Sequence, residues 1–423
     1  MCRWQQNFSH LPGTNKMSGW AENLTDVLVI GGGMAGLCAA LSAREAGATV
    51  TMLEASPQHM RGGNMRHARN IRLPHDTATG MSPATYTVEE FSADLARVSG
   101  GHGDKDLIGI TAGRAIDLGD WLVKHGVVFQ TGDIPFSRRT AFFLGGGKTA
   151  LNVLYGAARN MGVKIRYETA LETLDIDHLP ARATILCCGG GQARLVPDVI
   201  NRGTPFNTGV LTETLLRSGA ACRGKQDEAH LVAVDARSPL HDGGIVTRMD
   251  GIWNGMAINH LGGRFMDETV ISGSRRYALW GQAVAALPHR RATLIVDAVG
   301  IRGVPRMAFA PIMAETLDGM ADLIRADAGL LKRSAEESAR VRVPPYYAFP
   351  IRAGVTFACH GLQVDARSRV MMCDGSTRDD LFAAGTIMSA GILHAGYLSG
   401  TALTISAVFG RLAGREAARH ALA

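Results

Sequence analysis

The sequence predicts an α/β chain in which a nucleotide-binding half is interrupted by an inserted α+β part and then resumed. Three observations lead there. An apolar run at 27–30 enters Gly31-Gly32-Gly33-Met34-Ala35-Gly36, and a second apolar run ends on Glu54. The strand–helix rhythm of 24–230 gives way over 231–350 to short strands, turns and many basic residues, and it returns over 351–423. Glycine-rich strand ends recur at Gly62-Gly63, Gly189-Gly190-Gly191, Gly385 and Gly400. A chain of 423 residues exceeds one simple domain and accommodates this plan. It would comprise an extension (1–23), a first nucleotide-binding part (24–230), a capping part (231–350) and a second nucleotide-binding part (351–423).

The first unit follows from its residues. A strand at 27–30, a helix at 37–46 and a strand at 49–53 surround the spacing G-x-G-x-x-G. Gly31 makes the tight turn, Gly33 lets the backbone approach a pyrophosphate, and Gly36 lets helix and strand pack closely. The N–H groups around Met34 and Ala35 then face the phosphates. Glu54, 18 residues past Gly36, and Ala55 end the second strand, where ribose hydroxyls need an acceptor. Helical periodicity returns at 88–99 and as one helix over 107–125, stopped by Gly126. A helix at 149–161, a strand at 163–167 and a buried strand from 183 into the Gly189 turn follow. Asn207-Thr208-Gly209 opens a helix reaching Gly219. A short strand at 362–365, a buried strand at 381–386 and a helix from 402 to about 422 complete the pattern.

Composition narrows the function. Apolar residues make up 46% and charged residues 19%, enough for a large core. The net charge is +6, but there is no polybasic run and aromatic residues are few, so no nucleic-acid binding is expected. The arginine excess suits an anionic substrate, or solubility alone. Seven cysteines show neither C-x-x-C nor a metal-ligand spacing. No metal is expected, Cys187 and Cys188 read as buried thiols, and a reducing cytoplasm fits. The first 22 residues lack an apolar signal segment, and glycines interrupt 27–43, so no transmembrane segment is expected. Met17 is an alternative start.

A nicotinamide enzyme needs only the first fingerprint. Recurring glycine-rich strand ends point instead to FAD, whose length requires contacts from remote parts of a chain. Tyr397-Leu398-Ser399-Gly400-Thr401-Ala402-Leu403 precedes a helix whose N-terminal N–H groups suit the flavin N1 and C2=O edge. Ser399, Gly400, Ala402 and Leu403 are the expected contacts. An ordinary helix cap is the alternative.

The motifs VLVIGGGMAGLCAA, RGGNMRHARN, AFFLGGGKTALN, RGTPFNTG, DGGIVTRMDG, GGRFMDE, RRYALWG, LFAAGTIM and GYLSGTALT form a specific set. Over nearly all of 24–423 they resemble the flavoprotein subunits of fumarate reductase and succinate dehydrogenase and their soluble relatives. Within that family they are most similar to the FAD-dependent tricarballylate dehydrogenases, with the flavin half of fused precorrin-3B synthases nearby. The resemblance implies a Rossmann-like FAD-binding domain of the glutathione reductase type with an inserted, mobile α+β capping domain. It implies hydride transfer between flavin N5 and a carbon–carbon bond beside a carboxylate or carbonyl. It adds Gly62, Gly63, Asn64, Gly189, Gly190, Gly385 and Thr386 as FAD contacts. His67 stands out of register with covalent flavin attachment, so the resemblance implies noncovalent FAD.

The same resemblance assigns catalytic candidates. Arg264-Phe265-Met266-Asp267-Glu268 matches the family segment R-F-x-x-E, and Arg276 takes the place of the proton-shuttling arginine. Free arginine is a very poor base, so Glu268 is expected to relay the proton. Arg275 is a further substrate contact, or the two arginines are a solvated pair. Tyr397 stands where the family has a carboxylate-binding arginine. Phe357 stands where it has a histidine, leaving His360 and His394 as candidates. Thr386 replaces a usual glutamate, and 310–345 is short. Arg248, with Arg202, Arg237 and His241, lies in segments similar to the tricarballylate enzymes; carboxylate binding and internal salt bridges explain these residues equally.

The expected activity is that of a cytoplasmic FAD-dependent dehydrogenase oxidising tricarballylate to cis-aconitate. Arg276 would accept the proton, while Tyr397 and cap arginines hold carboxylates. Electrons would leave through a separate iron–sulfur or haem membrane protein, with the chain peripheral at the inner face. Two alternatives stay open. One is another flavin oxidoreductase on this scaffold, acting on fumarate or succinate, a 3-ketosteroid or a corrinoid precursor. The other is a non-catalytic FAD-binding relative, which the short cap and Thr386 favour.

Overall fold

A computed structural model describes residues 25–81, 84–132, 139–195, 198–241, 243, 246–268 and 276–423. The expected extension, Met17 and Arg275 lie outside the described residues. Of Arg276 only the backbone is described.

β1 (Val27–Ile30) is apolar and wholly buried. α1 (Met34–Glu45) begins directly after Gly33, three residues earlier than expected, because Gly36 belongs to its first turn. Ten of its twelve residues are buried, so it packs on every side and uses small residues to do so. β2 (Val50–Leu53) lies parallel to β1. β3 (Asn70–Arg72) precedes α2 (Val88–Val98), which opens on a Thr87/Glu90 capping box. The single helix expected over 107–125 is two, α3 (Lys105–Gly113) and α4 (Leu118–Lys124). Gly113 is a poor helix former and ends the first. The turn re-aims Trp121, which donates to Glu45 at 3.1 Å beneath the Arg411 guanidinium. β4 (Thr140–Phe142) pairs with β3, and α5 (Gly146–Asn160) leads to β5 (Lys164–Arg166) and β6 (Ala183–Leu186).

The chain next forms α6 (Gln192–Leu195), β7 (Ile200–Asn201), α7 (Val210–Arg217) and the long β8 (Cys222–Asp235). β9 (Met256–Ile258), α8 (Arg276–Ala285), β10 (Arg291–Val296), β11 (Ile312–Ala314), α9 (Leu317–Ile324) and α10 (Ala328–Ser338) follow. β12 (Tyr346–Leu362) pairs with β7, β8, β10 and β11. The short strand expected at 362–365 is therefore corrected: Leu362 ends a 17-residue strand, and Val364 makes only an isolated bridge. β8 and β12 run unbroken through 230/231 and 350/351. Last come β13 (Arg369–Met371), β14 (Thr377–Ala383), α11 (Ala390–Leu393) and α12 (Thr401–Leu422).

Two six-stranded sheets organise these elements. The first has the order β13-β14-β6-β1-β2-β5, parallel except at β13. From β1 the chain builds outward through β2 to β5, then crosses to β6 on the other side. That switch point opens a crevice at the carboxyl ends of β1 and β6, where α/β sheets bind ligands. α12 closes the layer against α1: a Cβ on Gly410 would lie 2.4 Å from the Ala35 carbonyl oxygen, and one on Gly414 2.3 Å from that of Ala39. The second sheet, order β11-β12-β10-β9 with β7 and β8 on β12, has its own apolar cores around Trp280, Phe349 and Met320. Among the described residues no helix is long and apolar enough to cross a membrane.

Candidate active site

The crevice at the end of β1 is built from backbone. Gly36 is required: its Cβ would fall 1.8 Å from the Gly31 carbonyl oxygen. Gly33 is different, since a Cβ there meets nothing closer than the Gly62 oxygen at 3.7 Å, so this wall faces open space. Gly33 caps α1 without any side-chain hydrogen bond, leaving the N–H groups around Met34, Ala35 and Gly36 to a ligand. Glu54 is only 6% exposed. It accepts from Gly32 N–H at 3.2 Å, Gly62 N–H at 3.3 Å and Ser56 N–H at 3.0 Å. No cation pairs with it among the described residues, and the Ser56 hydroxyl beside it is buried without a partner. The Tyr155 hydroxyl also donates to Glu54 at 3.4 Å, and an acceptor held by neutral donors suits ribose hydroxyls. Ala55 links Glu54 to Ser56, and Gly63 turns with open space where its Cβ would be.

Asn64 takes a role other than the expected one. Its amide donates to the Thr356 carbonyl at 2.9 Å and its oxygen accepts from Gln192 and Thr204, so its side chain knits the two halves together. Gly189 and Gly191 pack on Asn207 and Gly209. Gly190 lies beside the Thr386 carbonyl, and Gly385 against Ala35. The remaining wall is the turn before α12. Gly400 caps that helix at φ +80° without a side-chain bond, and the buried Thr401 hydroxyl has no partner. Ser399 gives its carbonyl to Arg72; Ala402 and Leu403 lie in the first turn. Two uncapped helix starts, a carboxylate held by neutral donors and orphaned hydroxyls fit a bound dinucleotide along this crevice.

A second cluster forms where β7 and β8 meet β12. The Arg202 N–H donates to the Val355 carbonyl at 2.9 Å and its Nη1 to the Thr356 hydroxyl at 2.7 Å. Burial and then Arg248 push its guanidinium down to about 10, while Tyr397 opposes this. Arg69 and Asp250 complete the surroundings. Arg248 is itself paired with Asp250 at 2.7 Å. Arg202, Arg248, Arg69 and Asp250 thus share one neighbourhood. His230, 5% exposed, lies flat on the Tyr397 ring, 3.8 Å between centroids and 8° between planes. Its other neighbour, Phe357, is also its ladder partner, at 5.1 Å. Burial, then Arg202 and Arg248, push His230 down to about 3, so the imidazole is neutral. No described residue hydrogen-bonds to its ring.

The other expected residues fall as follows. Arg276 opens α8, whose Gly281 packs on the backbone of Leu231 and Val232, next to His230. Glu268 does not stand free as a relay. It is fully buried, accepts from the Ala257 N–H at 2.8 Å and pairs with Arg264 at 2.6 Å. His360 lies on β12 opposite Gly224 with Nε2 buried and unpartnered, and burial lowers its pKa. His394 ends α11 with its ring 4.8 Å from His102. Neither joins the Tyr397 stack. Arg237 is locked on Asp235 and the Ala310 carbonyl, and His241 on Asn201, so both are internal braces. His230 went unrecognised in the sequence; the only signal was its place in an alternating strand.

Residues 26–178 and 149–403 match the family model described as FAD binding domain. The chain is similar to a fumarate reductase (cytochrome) of Shewanella frigidimarina, 25% identical over 94% of this chain and 78% of that one. In fold it is similar to the open conformation of a flavocytochrome c3 fumarate reductase (TM-score 0.77, 21% identity, 96% of this chain and 80% of that one). It is also similar to a 3-ketosteroid-Δ4-(5α)-dehydrogenase from Rhodococcus jostii RHA1 (TM-score 0.72, 21% identity, 95% and 98%). The chain therefore has a flavoprotein fold and FAD as its cofactor.

Proposed function

This chain belongs to the FAD binding domain family, among the flavoproteins related to fumarate reductase and succinate dehydrogenase. It is an FAD-dependent oxidoreductase, and on that premise we propose that it oxidises a tricarboxylic acid at a CH–CH bond, tricarballylate to cis-aconitate. The observation that carries this reading is the gathering of Arg202, Arg248 and Arg69 with Asp250 beside Tyr397. Guanidinium groups bind carboxylates in a fixed fork, so a substrate bearing several carboxylates suits such a gathering.

Bound FAD supplies the acceptor for the hydride that leaves one carbon. Arg202 and Arg248 hold carboxylates at one end of the substrate, with the Tyr397 hydroxyl at the same end. The proton from the neighbouring carbon passes through Arg276 to solvent, Arg276 giving up one proton as it gains the other, and Arg275 is a further carboxylate contact. Neutral His230 keeps the phenol flat and adds no charge to the pocket. Glu54 holds the FAD ribose, the start of α1 the pyrophosphate, and the turn before α12 the flavin edge, without a covalent bond. Segment 231–350 acts as the capping domain. Electrons leave to a separate iron–sulfur or haem protein at the cytoplasmic face of a membrane.

The stacked faces of Tyr397, His230 and Phe357 favour one second reading, a flat ring ketone of 3-ketosteroid type. Anaerobic titration of the yellow protein decides between them. Bleaching by tricarballylate, but not by succinate or a 3-ketosteroid, supports the first reading, and the reverse pattern supports the second. A flavin spectrum unchanged by all three overturns both.

A further inference from the structure

Beneath the turn that leads into α12 lies a charge cluster with a buried centre, Arg72 and Asp94, and no part in holding substrate. Arg72, the last residue of β3, is 6% exposed. Its Nε donates to the Ser399 carbonyl at 3.0 Å, its N–H to the Gly400 carbonyl at 3.4 Å, and its own carbonyl accepts from the Thr404 hydroxyl at 2.6 Å. The contact is tight, since a Cβ on Gly400 would lie 2.7 Å from the Arg72 nitrogen. Three bonds therefore fix the turn to this one residue.

The charge is held as firmly as the backbone. Arg72 Nη1 sits 3.8 Å from Asp94 Oδ2, is buried and has no hydrogen-bond partner. The guanidinium carbon lies 5.2 Å from the Tyr86 ring centroid, and the Tyr86 hydroxyl donates to Asp94 at 2.8 Å. Arg97 and Arg139 also pair with Asp94, at 2.6 and 3.2 Å. Arg97 and Arg139 are half-exposed and screened by solvent, so Arg72 is the buried positive charge, partly offset by Asp94, under the start of a 22-residue helix whose own N-terminus is positive. The adjoining Thr401 hydroxyl is buried and unpartnered.

We propose that Arg72 is a positioning residue that latches the Ser399–Gly400 turn and, with Asp94 setting its net charge, tunes the reduction potential of the bound flavin. The proposal rests on the turn before α12 facing the flavin, but not on the identity of the substrate. Reduction adds negative charge to the flavin, so buried positive charge nearby favours the reduced form. Asp94 offsets part of that charge.

The test is the midpoint potential of the FAD-loaded protein without substrate, in wild type, Arg72→Lys, Arg72→Met and Asp94→Asn. Expected is a negative shift in Arg72→Met, a positive shift in Asp94→Asn, and a potential close to wild type in Arg72→Lys. Opposite signs from the two partners of one ion pair separate an electrostatic role from damage to the fold. Shifts of the same sign, or none, overturn the proposal. So does loss of FAD from Arg72→Lys, where the charge remains. If wild-type flavin is bleached by no carboxylate while the two shifts appear, the substrate reading fails and this one stands.

Discussion

Replacing His230 by glutamine removes a titration that the folded chain suppresses. The imidazole is pushed down to about 3 by burial, Arg202 and Arg248, whereas an unfolded histidine titrates at its ordinary 6.5. Between those two values the unfolded chain binds a proton that the native chain refuses. Stability therefore rises with pH through this window, and is progressively lost as pH falls below about 6.5. Each pH unit is worth about 1.36 kcal/mol, so going from about pH 7.5 to about pH 5 costs wild type about 2 kcal/mol through this residue. Glutamine keeps a neutral hydrogen-bonding side chain and does not titrate. The assay is urea unfolding of the FAD-loaded protein at both pH values. Wild type should lose about 2 kcal/mol more than His230→Gln, since shared contributions cancel in the difference. Parallel losses in the two proteins would show that His230 is not held neutral, and the account of the arginine pocket would fall with it.

Three further outcomes are expected. Gly36→Ala places a Cβ 1.8 Å from the Gly31 carbonyl oxygen, so the purified variant should carry no FAD, as read from its visible spectrum. Arg264→Met strands the fully buried Glu268 carboxylate and should cost about 3 kcal/mol in denaturant unfolding, the scale of a broken buried pair. Arg276→Ala should leave the flavin spectrum intact while abolishing bleaching by tricarballylate in stopped flow; unchanged bleaching removes Arg276 from the proton transfer.

Local pattern made part of this molecule readable in the sequence. The fingerprint from Val27 to Glu54 was legible because turn, helix start and acid follow one another within a single βαβ unit. The last helix was legible for the same reason. β12 was not: residues buried on both faces give no clean alternation, and its partners come from four separate stretches of chain. The break at Gly113 was hidden because apolar spacing continues across it. His230 was hidden because its neighbours, Phe357 and Tyr397, are set by strand register far along the chain. The Glu268 pairing was hidden because 264–268 is irregular chain, where a four-residue spacing alone does not bring two side chains together.

The β8–β12 ribbon has a mechanical meaning. It is one hydrogen-bonded band reaching across the second sheet to the α11 region, with register shifts between Val355 and Phe357 and between Ala358 and His360. Bending such a band is easiest where its ladder is already interrupted. Those interruptions bracket the ladder pair of Phe357 and His230, on which Tyr397 rests. Flexure of the ribbon would therefore tilt the floor of the pocket, so that whatever the pocket grips is felt along the band as a torque.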